Sequence, residues 1–158
     1  MSLDGRELRN ALGRFATGVT VVTALDAQGR AVGMTANSFS SVSLDPALVL
    51  WSLQNNSDMY DTFANPGSFA INVLALDQEG LSNQYAKKGD HLMDEAHYCM
   101  GRNGAPILRG ALVSFECTLH QTHEGGDHLI IVGKVEDVVS RPTGEPLLFH
   151  AGRYAEIR

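Results

Sequence analysis

Leu8, Ala11, Leu12, Phe15 and Ala16 fall at i, i+3, i+4, i+7 and i+8, the period of a helix with one apolar stripe, and the spacing predicts a helix over residues 4–17 stopped by Gly18. The period then changes. Residues 19–25, 31–39 and 47–53 are strand-like runs separated by Asp26-Ala27-Gln28-Gly29 and by Asp45-Pro46, and together they read as a β-meander. Residues 58–65 predict a short helix ending at Asn65-Pro66-Gly67, residues 69–76 a strand, and residues 77–86 a second helix. Residues 87–106 hold few periodic apolar positions and carry Gly89, Gly101, Gly104 and Pro106, so a long surface excursion is expected there. Beyond it, residues 111–123 and 129–139 flank Glu124-Gly125-Gly126-Asp127, which predicts a hairpin whose glycines supply positive φ. Short strands near 146–150 and 153–157 close the pattern. Many short strands and few helices point to a mainly β, antiparallel, barrel-like domain with peripheral helices, and not to an alternating parallel sheet.

Composition narrows the function classes. With 158 residues, 44% hydrophobic and 19% charged, the chain reads as one globular domain over 1–158 that can bury a core without disulfides or metals. Cys99 and Cys117 match no zinc spacing and are expected to be free thiols, as in a reducing, cytoplasmic setting. No apolar stretch has the length of a membrane-spanning helix, and the charged segment MSLDGRELRN is unlike a signal peptide. The formal charge of -6, without any dense Lys/Arg cluster, argues against a nucleic-acid partner.

Candidate chemistry is concentrated in polar loops. There is no GxGxxG, no GxxxxGK[ST] and no GxSxG, so Rossmann, P-loop and serine-elbow sites are set aside. Gly33-Met34-Thr35-Ala36-Asn37-Ser38-Phe39-Ser40-Ser41 places hydroxyls and an amide where a strand gives way to a loop; it reads either as a polar strand edge or as a set of partners for a flat heterocycle. Gln54-Asn55-Asn56-Ser57 precedes the short helix, where Ser57 is a helix cap or one wall of a phosphate site, and Asp58 disfavours the phosphate unless it points away. His120 and His123 lie three apart on a strand, hence on opposite faces, and no metal site is expected. Gly126-Asp127-His128 is either a plain hairpin tip or a contact for an anionic or amide-bearing substrate.

Four motifs in this order resemble the short-chain flavin reductase family: Phe15-Ala16-Thr17-Gly18-Val19-Thr20-Val21-Val22-Thr23, the run from Gly33 to Pro46, Phe69-Ala70-Ile71-Asn72-Val73-Leu74, and Gly126-Asp127-His128. The likeness runs from about Leu8 to Tyr154. It implies a Greek-key-like, FMN-binding split β-barrel, a homodimer, in which NADH or NADPH reduces FMN or FAD and the reduced flavin passes to a partner monooxygenase. By position, Thr35, Ala36, Asn37 and Ser38 are expected at the isoalloxazine edge, and Ser41 near the ribityl chain. Ser52, Leu53, Gln54, Asn55 and Ser57 are expected at the ribityl and phosphate groups. Gly126, Asp127 and His128 fall at the nicotinamide nucleotide, with His128 as the positioning group, and Tyr154 closes the site. Where many members read Ser-Arg-Thr this chain has Ser57-Asp58-Met59, so the positive charge for a phosphate is sought in Lys87, Lys88 or Arg153, as a local basic rim. An FMN-holding reductase of a metal complex and a flavin carrier without reductase activity are the alternative readings.

Overall fold

The computed structural model describes residues 2–158. Its first helix, α1 (Gly5–Leu12), is capped by the Asp4 carboxylate, which accepts the Arg6 N–H at 2.8 Å, and ends at Gly13. It is shorter than its sequence pattern because residues 14–16 turn away toward β1 (Thr17–Gly18). None of its residues is buried: Leu8 and Leu12 are 44% and 66% exposed, and Phe15 just beyond the helix 79%, so the apolar stripe faces outward.

The strand-like runs become β2 (Thr20–Leu25), β3 (Ala31–Ala36), β4 (Ser40–Leu44) and β5 (Ala47–Gln54). β2–β3 and β4–β5 are antiparallel hairpins, yet β3 and β4 do not pair, which corrects the meander. After α2 (Tyr60–Ala64) come β6 (Phe69–Val73), a 3-10 turn at Leu76–Gln78, and α3 (Glu79–Tyr85). The expected excursion holds structure of its own, a 3-10 turn at Glu95–His97 and the paired strands β7 (Tyr98–Met100) and β8 (Pro106–Leu108). The long hairpin of β9 (Val113–Gly125) and β10 (His128–Ser140) turns on Gly126 and Asp127, and only Gly126 there needs positive φ, at 69°. β11 (Leu148–His150) and β12 (Arg153–Ala155) pair with each other, and β11 also with β1.

Seven strands form one sheet in the order β3-β2-β6-β9-β10-β5-β4. The sheet curls. Ser38, just past the edge strand β3, accepts the Ser52 N–H at 2.9 Å and donates to the Ser52 carbonyl at 3.3 Å, bringing the β3 end against β5 on the far side. No ladder joins β3 to β4, so the barrel is left open at this seam. Two cores result. Val22, Ala24, Trp51, Leu53, Phe63, Phe69, Ile71 and Ile131 fill the inside, whereas Val19, Val21, Leu74, Tyr85 and Leu147 pack on the outside. β2 is buried over five of its six residues because its alternate side chains serve both cores, which explains a nearly continuous apolar run in an antiparallel sheet.

The polar centre of this packing is Asn72, fully buried on β6. Its amide nitrogen donates to the Val21 carbonyl at 2.8 Å and to Thr23 Oγ1 at 3.0 Å. Its oxygen accepts the Leu108 N–H at 3.0 Å and the Ser114 hydroxyl at 2.7 Å. All four hydrogen-bonding positions of the amide are used, tying β2, β8 and β9 to β6.

Both cysteines are free. Cys117 is fully buried, and its thiol is pushed up to about 12, first by burial and then by the charges of Glu136 and Glu116. The thiolate is the reactive species, so a disulfide reagent at neutral pH is expected to label only the partly exposed Cys99 in the folded protein and both thiols after unfolding. Rapid labelling of two thiols per folded chain would contradict this burial.

Candidate functional site

A cleft of about 370 Å³ opens at the seam of the curled sheet. Its first wall is the end of β3 and the loop after it, with Met34, Thr35, Ala36, Asn37 and Ser38. β3 is an edge strand, and backbone groups along it point alternately toward and away from β2. The Gly33 N–H points away and donates to the His91 carbonyl at 2.9 Å, so the same parity turns the Thr35 backbone away from β2. The Thr35 hydroxyl is already engaged, donating to the Ser82 carbonyl of α3 at 2.7 Å.

β5 supplies the second wall through Trp51, Ser52 and Gln54. Trp51 is 1% exposed, packs edge-on against Phe63, and its indole N–H has no hydrogen-bond partner. Ser38 and Ser52 spend their mutual bonds on holding the two walls together, which makes them organisers of the cleft.

The third wall is the turn into α2. Ser57 Oγ accepts the Met59 N–H at 3.1 Å, a turn contact ahead of a helix of five residues whose cap is Met59. The expected helix cap and phosphate-binding helix end are therefore absent, because the helix starts later and is too short. Asp58 lines the cleft but turns its carboxylate to the opposite loop, accepting the Gly89 N–H at 2.6 Å through Oδ2. Its Oδ1 lies 3.1 Å from His91 Nε2.

Ala86, Lys88 and His91 form that opposite loop. His91 is 7% exposed, and its Nδ1 is 3.0 Å from the Gly33 carbonyl, which accepts only, so Nδ1 carries a proton. A second proton between Nε2 and the Asp58 carboxylate makes that contact attractive as well. The Met93 N–H donating to the Ala31 carbonyl, and the Tyr85 hydroxyl 2.7 Å from His97 Nδ1, fasten the rest of the loop.

At the mouth, His128 of β10 sits opposite Gln54 in register, and its Nδ1 is 2.7 Å from Asp127 Oδ1. The bond from the His128 ring, and next the ring's charge, holds the Asp127 carboxyl below the usual carboxylate range. The Asn55 amide donates to the Gly126 carbonyl at 3.1 Å and its N–H to the Asp127 carbonyl at 2.9 Å, pinning the hairpin tip to the third wall.

Of the residues singled out in the sequence, Thr35, Ala36, Asn37, Ser38, Ser52, Gln54, Ser57 and His128 line the cleft together. Asn55, Gly126 and Asp127 stand behind its mouth. Leu53 is fully buried in the inner core, facing away from solvent with Trp51 and Val49, and Ser41 is exposed on β4 outside the lining. Tyr154 packs edge-on against Phe149, with its hydroxyl 2.6 Å from Ser82 Oγ and donating to Asn83 at 3.0 Å, so it braces α3 from behind. Lys88 is the single Lys or Arg on the lining; Lys87 and Arg153 are not on it, and with Asp58 present the rim is not basic. Met34 was present only as part of the Gly33–Ser41 run, and Trp51 and His91 carried no sequence signal. Trp51 is hidden in an apolar strand run, and His91 lies in a stretch without periodicity.

The flavin reductase-like domain model matches residues 12–158. The chain is 45% identical over 151 residues to the FMN reductase (NADH) of Agrobacterium fabrum, covering 96% of this chain and 85% of that protein. It is also 45% identical over 135 residues to the reductase component of the flavin-dependent trigonelline monooxygenase of Acinetobacter baylyi, but spans only 44% of that relative's length. An NADH:FAD oxidoreductase of Streptomyces globisporus, solved in complex with NAD and FAD fragments, matches with a TM-score of 0.91 at 36% identity, over 100% of this chain and 97% of that one.

Proposed function

Since the chain belongs to the flavin reductase-like family, we propose that it is an NADH-dependent flavin reductase whose seam cleft takes FMN or FAD and whose reduced flavin serves a partner monooxygenase. The observation that carries this reading is the donor set of the cleft. An edge-strand backbone at Thr35 and the amide of Asn37 suit a flat heterocycle with donors and acceptors on its rim, and Gln54 and Lys88 suit a polar, anionic tail. The residues present fit a flavin.

Bound flavin supplies the hydride acceptor, and the protein's task is to hold two nucleotides in contact. Gln54 and Ser57 would hold the flavin's sugar-like tail. Asp127 orients the His128 ring at the mouth, leaving Nε2 for the nicotinamide nucleotide. No acid-base dyad is needed, and none lines the first two walls.

The chain acts as one domain of split-barrel type, as a homodimer in the cytoplasm. Support for the dimer lies in the uncovered apolar residues of α1 and in Leu44, 98% exposed at the β4–β5 turn. Among the described residues no helix is long and apolar enough to cross a membrane.

Steady-state oxidation of NADH with and without added FMN, FAD and riboflavin tests the reading, with the molar mass in solution measured on the same preparation. Turnover only with added flavin, by a protein of twice the chain mass, is expected. Flavin-independent reduction of a ferric complex would move the protein to the FMN-holding class. Tight FMN binding without turnover would make it a carrier.

A further inference from the structure

Of the two histidines lining the cleft, His91 is the buried one, and its bonds run to two different walls. On β3 it takes both outward groups of Gly33: the Gly33 N–H donates to the His91 carbonyl at 2.9 Å, and His91 Nδ1 donates to the Gly33 carbonyl at 3.0 Å. The next outward backbone groups along that edge are those of Thr35 in the first wall. On its other side Nε2 lies 3.1 Å from Asp58 Oδ1, and Asp58 Oδ2 accepts the Gly89 N–H at 2.6 Å. The pairing of Met93 with Ala31 and of Leu92 with Val32 fastens the loop to β3 independently of the ring. Among the described residues, the hydrogen bonds from this loop to the third wall both end on Asp58. That link depends on a proton. Nδ1 spends its hydrogen on a carbonyl, so Nε2 binds the carboxylate only while the ring holds a second one. The pair is then neutral overall, and what it contributes is shape.

Resting on the flavin reading above, we propose that His91 is a positioning residue, a proton-dependent clasp that holds the third wall to the opposite loop and so makes flavin binding weaken as pH rises. With both ring protons in place the imidazole donates to Gly33 and to Asp58, and the two walls stay joined. When the second proton leaves, a nitrogen lone pair faces the carboxylate, the Asp58 side chain is pushed away, and the Gly89 N–H loses its acceptor too. The closed cleft is therefore favoured at the acid end of the histidine range, about pH 5 to 8, and released toward its alkaline end. The charged and titratable groups around the ring are Asp58 on the third wall, Lys88 and Asp90 on its own loop, and His128 of β10 on the same lining. From α3 comes Tyr85, packed against Gly33 and Met93 and bonded in turn to His97 and Asp94, whereas β3 offers backbone only. Two of these groups, His97 and His128, share the pH range of His91, and neither bonds to it.

One substitution keeps the clasp and removes its need for the second proton. In Asp58→Asn the amide oxygen accepts the Gly89 N–H, and the amide nitrogen donates to Nε2 of a neutral ring whose Nδ1 hydrogen stays on Gly33. Dissociation constants for riboflavin and FMN, from flavin fluorescence titration of the full chain between about pH 5.5 and 8.5, are the readout. Riboflavin is included because it has no group that titrates in this range. For both flavins the unaltered protein is expected to lose about fivefold in affinity from the acid to the alkaline end, and Asp58→Asn to stay constant within about twofold. His97 and His128 are present in both proteins, so the difference between the two profiles reports on His91. The imidazole NMR signals of the unaltered chain supply a second measurement, in which the His91 ring must lose its proton over the same interval in which binding weakens. A flat profile for the unaltered protein, an equal slope in Asp58→Asn, or a His91 ring that keeps one protonation state throughout overturns the proposal while the flavin reading stands. Failure of the unaltered protein to bind either flavin at any pH overturns the flavin reading and the proposal with it.

Discussion

Replacing Asn72 by Ala is expected to lower the stability of the fold by about 3–5 kcal/mol, the largest single-residue loss outside the aromatic core. The substitution removes one side chain and four hydrogen bonds with it, although the Thr23 hydroxyl keeps its bond to the Pro106 carbonyl at 2.6 Å. The Val21 carbonyl, Thr23 hydroxyl, Leu108 N–H and Ser114 hydroxyl are in the interior, where water cannot replace the amide without opening the structure. Each lost bond to a buried group costs on the order of 1 kcal/mol, and the empty volume adds to this. For a chain of this size the midpoint of thermal unfolding should fall by roughly 10 °C or more. Ser114→Ala, which removes one partner and leaves the amide three bonds, should cost about 1 kcal/mol. Denaturant unfolding at unchanged m-value measures both. A loss below ~1 kcal/mol for Asn72→Ala would mean that the network is not what joins β6 to its neighbours.

The second large effect is kinetic. His128→Ala is expected to raise KM for NADH by about tenfold or more while kcat changes much less, because a group that holds the nicotinamide nucleotide equally in the ground and transition states contributes uniform binding. The bond that the His128 ring donates to Asp127 makes a second variant informative. Asp127→Asn keeps a hydrogen-bond acceptor for Nδ1 but removes the charge, so its KM should rise in the same direction by a smaller factor. Because Asp127 is fully solvated, its charge acts mainly on ring orientation. Equal falls in kcat and kcat/KM, with KM unchanged, would instead put His128 in the transition state.

Strand-length apolar runs bounded by turn residues made β2, β5, β6 and the β9–β10 hairpin legible, since each carries at least one face that must be buried. The seam was not. Residues 31–39 carry strand-like composition throughout, but Asn37, Ser38 and Phe39 leave the sheet because Ser38 bonds Ser52, a partner 14 positions away that no local pattern encodes. The α1 stripe gave a helix longer than the one that forms and said nothing of its surroundings: period reports that a face is apolar, not whether this chain covers it. Asn72 was visible only within a motif, because a polar residue in an apolar run reads as a fault until four partners from three other strands converge on it. In the site, hydroxyl and amide residues were readable by type. Trp51 and His91 needed the fold to bring an inner-core strand and an irregular loop to one opening.

The position of the β9–β10 hairpin in the sheet has a consequence for synthesis. β9 carries β6, β2 and β3 on one side, and β10 carries β5 and β4 on the other. The strands that must be joined are made first, and the pair that joins them is made last. A nascent chain that has reached residue 112 therefore holds the three-stranded unit β3-β2-β6 and the separate β4–β5 hairpin, each with an exposed edge, and the two halves meet only once residues 113–140 have left the ribosome. Joining of the two halves into one sheet is therefore a late event that waits for the central ribbon.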